Sequence, residues 1–169
     1  RAIHSVMHSD MAPFLMDRDE TRIEEIWHGL WWKLHYAGRG GLVIHALSAI
    51  DIALWDLLGQ RTNLPLWRLL GGADPKVKAY AGGIDLMFSL DDLLAQTDQN
   101  LSKGFRAIKM KVGRDNLHED VERIKTMRNH LGSGFPLMVD ANMRWTVDDA
   151  IRAARAFREF DLVWLEVPT

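Results

Sequence analysis

From Lys76 onward, strand-like and helix-like segments alternate with a period of roughly thirty residues. No other feature restricts the fold as much. The run VKAYAGG is β-rich. Ser89, with Asp92 three residues on, is an N-cap signature; the helix after it carries Leu90, Leu93, Leu94 and Leu101 and stops at Gly104. AIKMKV is a strand. Asn116 with Glu119 opens a helix bearing Leu117, Val121, Ile124 and Leu131, stopped by Gly132. PLMVDAN is a strand, Thr146 with Asp149 opens a helix with Val147, Ala150, Ile151, Ala154 and Phe157, and VWLEVP is the last strand. The order βαβαβαβ means parallel strands joined by helical crossovers, in an open doubly wound sheet or a (β/α)8 barrel. No Gly-rich phosphate loop follows a strand, which weakens the nucleotide-binding version.

Residues 1–75 have a different rhythm. Ile23, Ile26, Trp27, Leu30, Trp31 and Leu34 recur at helical spacing. A turn at Arg39-Gly40-Gly41 leads to a second helix marked by Leu47, Ile50, Leu54, Leu57 and Leu58 and ended by Gly59. Pro65 opens a short segment closed by Gly71-Gly72. Trp27, Trp31, Trp32, Trp55 and Trp67 could stack on a ring-shaped ligand, but at helical spacing they read as core. The expected division is therefore a helical unit at 1–75 and a βα unit at 76–169.

Charge narrows the function. Lys plus Arg number 21 against 23 Asp plus Glu, so no basic field attracts nucleic acid. With no cysteine, disulfide and thiolate chemistry are excluded, and a reducing cytosol is the expected compartment. No apolar run reads as a membrane span, and RAIHSVMHSDMAPF lacks the apolar stretch of a signal peptide. The seven histidines show no metal-binding spacing, Ser48, Ser89 and Ser102 sit in no nucleophile elbow, and Arg114–Arg128 reads as a solvated helix face.

Three successive strands end in charged residues: Lys109 and Lys111, then Asp140, then Glu166, each among apolar neighbours. Charges are costly to bury unless paired or bound to metal. Residues two apart on a strand point the same way, so Lys109 and Lys111 share a face with Met110 opposite. In a barrel the C-terminal strand ends converge on one mouth, and two ammonium groups would face two carboxylates there. Two carboxylates suit a hard divalent cation, Mg²⁺ above all. A lysine beside another lysine and a metal should have a lowered pKa, as a general base needs. Base and Lewis acid together suit removal of the weakly acidic proton next to a carboxylate, through an enediolate. A plain ion-pair cluster at a strand rim is the other reading.

Lys109-Met110-Lys111 resembles the Lys-x-Lys motif of the mandelate racemase/muconate lactonizing enzyme family of the enolase superfamily. Asp140-Ala141-Asn142 with Trp145, and WLEVP, resemble its two successive metal strands; HALSAIDIALWDLLGQRTNLPLWRLLGG resembles its capping-domain segment. The resemblance implies part of a (β/α)8-type barrel preceded by the helical part of an α+β capping domain, truncated after the fourth strand. It implies Lys111 as the base, Lys109 as its tuning partner and a contact for the substrate carboxylate, Asp140 and Glu166 as Mg²⁺ ligands, and Asn142 as a substrate contact. The family often has Glu where Val167 stands; Val167 is expected to face away and pack behind the site. The third metal ligand and the opposing acid or base are not in this chain. The implied reaction is dehydration of a sugar acid; the alternatives are a racemase, epimerase or cycloisomerase, a Schiff-base enzyme using Lys111, or a non-catalytic barrel fragment. The implied partner is a small carboxylate substrate, with homo-oligomerisation of the full-length protein. A half-barrel exposes strand edges and an apolar interior. Residues 1–169 alone should therefore be insoluble or oligomeric, and inactive; a soluble, active monomer on a sizing column would refute this.

Overall fold

In the computed structural model, which describes residues 1–169, four parallel strands lie in the spatial order β1-β2-β3-β4. They are β1 (Ala81–Gly82), β2 (Ile108–Lys111), β3 (Leu137–Asp140) and β4 (Leu165–Glu166). A doubly wound sheet reverses its strand order at a switch point. This sheet never reverses, so it is an arc of a barrel. The register is continuous across it: Ala81 faces Ile108 and Ile108 faces Leu137, while Lys111 faces Asp140 and Asp140 faces Glu166. The first and last strands are shorter than the runs VKAYAGG and VWLEVP suggest. The β4 ladder does continue, with Val163 N–H donating to Leu137 O at 2.9 Å.

Three crossover helices back the sheet: α6 (Leu90–Ser102), α7 (Leu117–Leu131) and α8 (Val147–Phe157). Their starts are capped by side chains. Ser89 Oγ accepts the Asp92 N–H at 3.1 Å and donates to the Asp92 carboxylate at 2.7 Å. Thr146 Oγ1 accepts the Asp149 N–H at 3.3 Å. Asn116 caps through the His118 N–H at 3.1 Å, while the Glu119 N–H donates to the Asn116 main-chain carbonyl at 3.0 Å. Gly132, at φ 82°, ends α7 in a conformation that favours glycine. The core is Leu93, Ile108, Met110, Ile124, Met127, Leu137, Val139, Ala153, Phe157 and Phe160. Ile108 and Met110 point into it, which turns Lys109 and Lys111 to the other face of the sheet.

Two expected helix faces are rotated. Val147 and Ile151 are 64% and 45% exposed and Ala154 is exposed too; of the expected face α8 buries Ala150 and Phe157 and adds Ala153, the two alanines letting the helix sit close to the strands. On α6, Leu90 is exposed and Thr97 is buried, its hydroxyl donating to Leu93 O at 2.8 Å. The segment Arg114–Arg128 is not a solvated face. Asp120 and Arg123 are 0% and 2% exposed. Asp120 accepts the N–H groups of Gly113 and Arg114 at 2.8 and 3.0 Å. Arg128 collects the carbonyls of Gly132, Phe135, Phe160 and Asp161.

The chain divides into two compact units, Arg1–Lys76 and Val77–Thr169. The first opens with α1 (Ala2–Ser5), a π-helical stretch (Val6–Met11) and α2 (Ala12–Leu15). His4 and His8 are one helical turn apart and stack at 4.1 Å. Then come α3 (Ile23–Leu34), α4 (Gly41–Thr62) and α5 (Leu66–Leu69). Met11, Ile26, Leu30, Leu34, Ala46 and Leu47 form the core, and Trp27 stacks on Trp31 at 5.3 Å at its border. Trp32 and Trp67 are exposed, so the tryptophans are not one core set. Helix α4 does not end at Gly59. It continues to Thr62, and Asn63, at φ 53°, supplies the left-handed cap. The expectation that no run matches a membrane span also fails: α4, with 22 residues, is enough by length and composition to cross a bilayer. It carries Asp51 and Asp56, each costly at a bilayer centre.

Replacing Arg123 by Met should lower unfolding free energy by about 3–5 kcal/mol, since it strands buried carboxylates. Urea unfolding of the full-length protein measures this; a change below about 1 kcal/mol would show that the buried charges do not depend on one another.

Candidate active site

Lys109, Lys111, Asp140 and Glu166 meet at the C-terminal ends of β2, β3 and β4. Lys111 Nζ donates to Asp140 Oδ2 at 2.7 Å. Lys109 Nζ donates to both oxygens of Glu166 at 2.9 Å and lies 3.4 Å from Asp140 Oδ2. The Asp140 side chain is 3% exposed, so an unpaired charge there would be untenable. Its other oxygen accepts the Asn142 N–H at 2.9 Å. Asn142 has a left-handed φ of 50°, and its side chain is exposed. Asn142 was expected to touch substrate or to order the site; its backbone N–H orders Asp140.

Two aromatic residues complete the floor, and neither was marked from sequence. Trp164 Nε1 donates to Glu166 Oε2 at 3.0 Å. Tyr80 meets Trp164 edge-on at 5.6 Å, and its ring lies 5.2 Å from Lys109 Nζ. The available signal was parity: Trp164 is two residues before Glu166, hence on the same face. Val167 does not pack behind the site. It is exposed, with φ 34°, a value β-branched residues rarely adopt. That turn lets Val167 O accept the Met143 N–H at 2.7 Å.

Burial, the largest influence on Asp140, raises its pKa, but Lys111, the Asn142 N–H and Lys109 outweigh it and hold the carboxyl below its ordinary value. The Lys109 hydrogen bond, followed by the Trp164 indole, lowers Glu166 likewise. Burial alone would make Lys109 less basic; hydrogen bonds to Glu166, Tyr80 and Asp140 reverse this and raise it above the usual lysine value. The fall expected from lysine–lysine repulsion is absent at Lys109 because two carboxylates lie closer in effect than the second ammonium.

The Lys109 ammonium sits between two carboxylates that converge on one point. Asp140 and Glu166 therefore present a hard-oxygen donor pair able to hold a cation jointly, and Mg²⁺ commonly uses one or two protein carboxylates. No third acidic or histidine side chain joins them. The 770 Å³ cavity lined by Tyr80, Phe105, Met138, Trp164, Lys78 and Arg106 opens toward the N-terminal strand ends, below these charges.

Residues 1–71 match the family model described as the N-terminal domain of mandelate racemase/muconate lactonizing enzyme, and residues 92–169 match that described as the enolase C-terminal domain-like. The 3,6-anhydro-α-L-galactonate cycloisomerase of Streptomyces coelicolor is 58% identical over 168 residues, 99% of this chain and 46% of that protein. The L-talarate/galactarate dehydratase of Salmonella typhimurium is 40% identical over 161 residues, 94% of this chain and 40% of that protein. The crystal structure of a racemase from Streptomyces coelicolor A3(2) with bound magnesium superposes with a TM-score of 0.95 at 58% identity, covering 99% of this chain and 50% of that one. The chain thus spans about half the length of the relatives it matches.

Because both lysines contact the same Asp140 oxygen, either can neutralise it. A double-mutant cycle on Lys109→Met and Lys111→Met should show coupling of about 1 kcal/mol or more in unfolding free energy. Strict additivity would mean that each lysine acts alone.

Proposed function

The chain belongs to the mandelate racemase/muconate lactonizing enzyme family of the enolase superfamily, and we propose that it serves Mg²⁺-dependent removal of the proton α to the carboxylate of a sugar acid. The observation that carries this reading is the single register row Lys111–Asp140–Glu166, with Lys111 Nζ 2.7 Å from Asp140. A base and a cation-binding pair are thereby fixed on one face by the backbone itself. Asp140 and Glu166 would hold the ion. When bound, Mg²⁺ would supply the positive charge that stabilises an enolised carboxylate.

The chain's own residues account for the rest. Lys111 Nζ takes the α-proton as the free amine. Lys109, which pairs with Glu166 and Asp140 here, would turn its positive charge to the substrate carboxylate once the ion takes its place. The Asn142 N–H and the Trp164 indole N–H fix the two acidic side chains, so little reorganisation is needed when substrate arrives.

Similarity favours isomerisation over the dehydration first expected, since the relative at 58% identity is a cycloisomerase and the dehydratase stands at 40%. The two outcomes share the proton abstraction and differ in the bond broken next. In a 3,6-anhydro acid the β C–O bond belongs to the ring, so its cleavage opens the ring and loses no water. In an open-chain acid the β oxygen leaves as water. We propose ring-opening isomerisation of an anhydro-sugar acid as the principal activity, with dehydration of an open-chain sugar acid as the second reading.

The full-length protein with Mg²⁺ should exchange the α-proton of 3,6-anhydro-L-galactonate in D₂O and, in H₂O, yield a keto acid of unchanged mass. Lys111→Ala should lower exchange by roughly 10²–10⁴-fold, and EDTA should abolish it. A product lighter by one water from galactarate alone would favour the dehydratase. Exchange that survives both Lys111→Ala and EDTA would overturn the reading. Asp140→Asn should weaken Mg²⁺ binding at least about tenfold by calorimetry; unchanged affinity would remove Asp140 from the ligand set.

A further inference from the structure

Strand β1 stops at Gly82, whereas β2 runs on to Lys111. Along β2 the N–H groups alternate in direction. Those of Ile108 and Val112 point to the β3 side, where they donate to Pro136 O and Asp140 O at 3.0 Å. The N–H of Lys111 therefore points to the β1 side, beyond the end of that strand. The Asp85 carboxylate takes it, with Oδ1 accepting at 2.8 Å.

Asp85 is fully buried and itself firmly held. Its Oδ2 accepts from Gln96 Nε2 at 3.0 Å. Arg123, also buried, places Nη2 2.8 Å from the Asp85 main-chain carbonyl and 3.5 Å from Oδ1, and donates from Nη1 to Phe88 O at 2.9 Å. Arg114 holds the carbonyls of Leu86 and Phe88, each at 2.9 Å. A Cβ at position 83 would strike the Gln96 amide and push it from its place. The loop after β1 is thus tied to α6 and α7, and its one buried carboxylate is aimed at the peptide of Lys111. A hydroxyl could satisfy a single N–H without the burden of a buried charge. A carboxylate locked by an arginine instead gives an anchor that cannot rotate away.

We propose that Asp85 is a positioning residue for Lys111: it fixes the Lys111 peptide at the unpaired edge of β2, and so the direction in which Nζ leaves the strand toward Asp140. This rests on the reading of Lys111 as the base. Without Asp85, Val112 remains tethered to Asp140 O but the peptide before it loses its partner. Misplacing a reacting group by about an ångström costs on the order of a hundredfold in rate.

The test uses the full-length protein with Mg²⁺, and 3,6-anhydro-L-galactonate and galactarate as probes. Asp85→Ala, Asp85→Asn and Lys111→Ala are compared with Thr97→Val, which perturbs the same core without touching Lys111. In Asp85→Ala, Lys111 amide exchange should accelerate at least about tenfold. Its kcat should fall roughly a hundredfold with KM little changed, and the α-deuterium isotope effect should rise. Asp85→Asn keeps an acceptor for the N–H and should recover most of both losses; if the alanine variant does not fold, Asp85→Leu, which keeps the volume and removes the acceptor, takes its place. Thr97→Val should move neither readout. The proposal is overturned if Asp85→Ala matches Thr97→Val in kcat and isotope effect, or if its Lys111 amide stays protected. Lys111→Ala that still exchanges the α-proton would instead remove the base assignment. If the wild type acts on neither acid, Lys111 amide exchange decides alone, and unchanged protection overturns the proposal.

Discussion

The register of three parallel strands is the constraint on which the charged site depends. Lys111, Asp140 and Glu166 share one row because β2, β3 and β4 pair residue for residue. A slip of one residue would turn each of these side chains to the opposite face. Ile108 and Met110 hold β2 against the helices from behind, and hydrogen bonds from Val112 to Asp140 and from Ala141 to Glu166 continue the lock above the charges. The apolar side of the sheet therefore fixes the geometry of the polar side. Ion pairing then makes the polar side tolerable, since Asp140 is almost wholly withdrawn from water and is met by two ammonium groups.

Much of this was legible in the residues. The βα period, the caps at Ser89 and Thr146 and the stop at Gly132 are local signals, set by hydrogen bonds within a few residues. Lys109, Lys111, Asp140 and Glu166 could be found because each is a charge at the end of an apolar strand, and parity places both lysines together. The rest was hidden for physical reasons. The partner of Asp85 is a main-chain N–H 26 residues away, and no spacing rule reports such a bond. Asp120 and Arg123 lie in a helix rich in both charge signs, where a buried pair and a solvated pair look alike in sequence. Helix α8 buries alanines and exposes Val147 and Ile151, because close approach to the strands outweighs side-chain size. Tyr80 and Trp164 were not marked, because only the paired strands bring the ring and the indole N–H beside Lys109 and Glu166.

The site is also layered. Trp164 and Lys109 lie in one row below the carboxylates, and Tyr80 below them, so an aromatic floor carries the charges from beneath. Asn142 and Asp85 work through the backbone, one aiming an N–H at Asp140 and the other receiving the N–H of Lys111. Floor, loop and strand ends together leave these four charged side chains few alternative directions. Such preorganisation is what differential stabilisation of a reaction step requires.

The most direct measurement is anomalous diffraction from crystals of the full-length protein grown with Mn²⁺ in place of Mg²⁺ and soaked with a sugar acid. Expected is one metal in contact with both Asp140 and Glu166, Lys109 displaced from between them, and Lys111 Nζ about 3–3.5 Å from the α-carbon of the acid. A metal bound away from this carboxylate pair, or an acid whose α-carbon lies out of reach of Lys111, would contradict it.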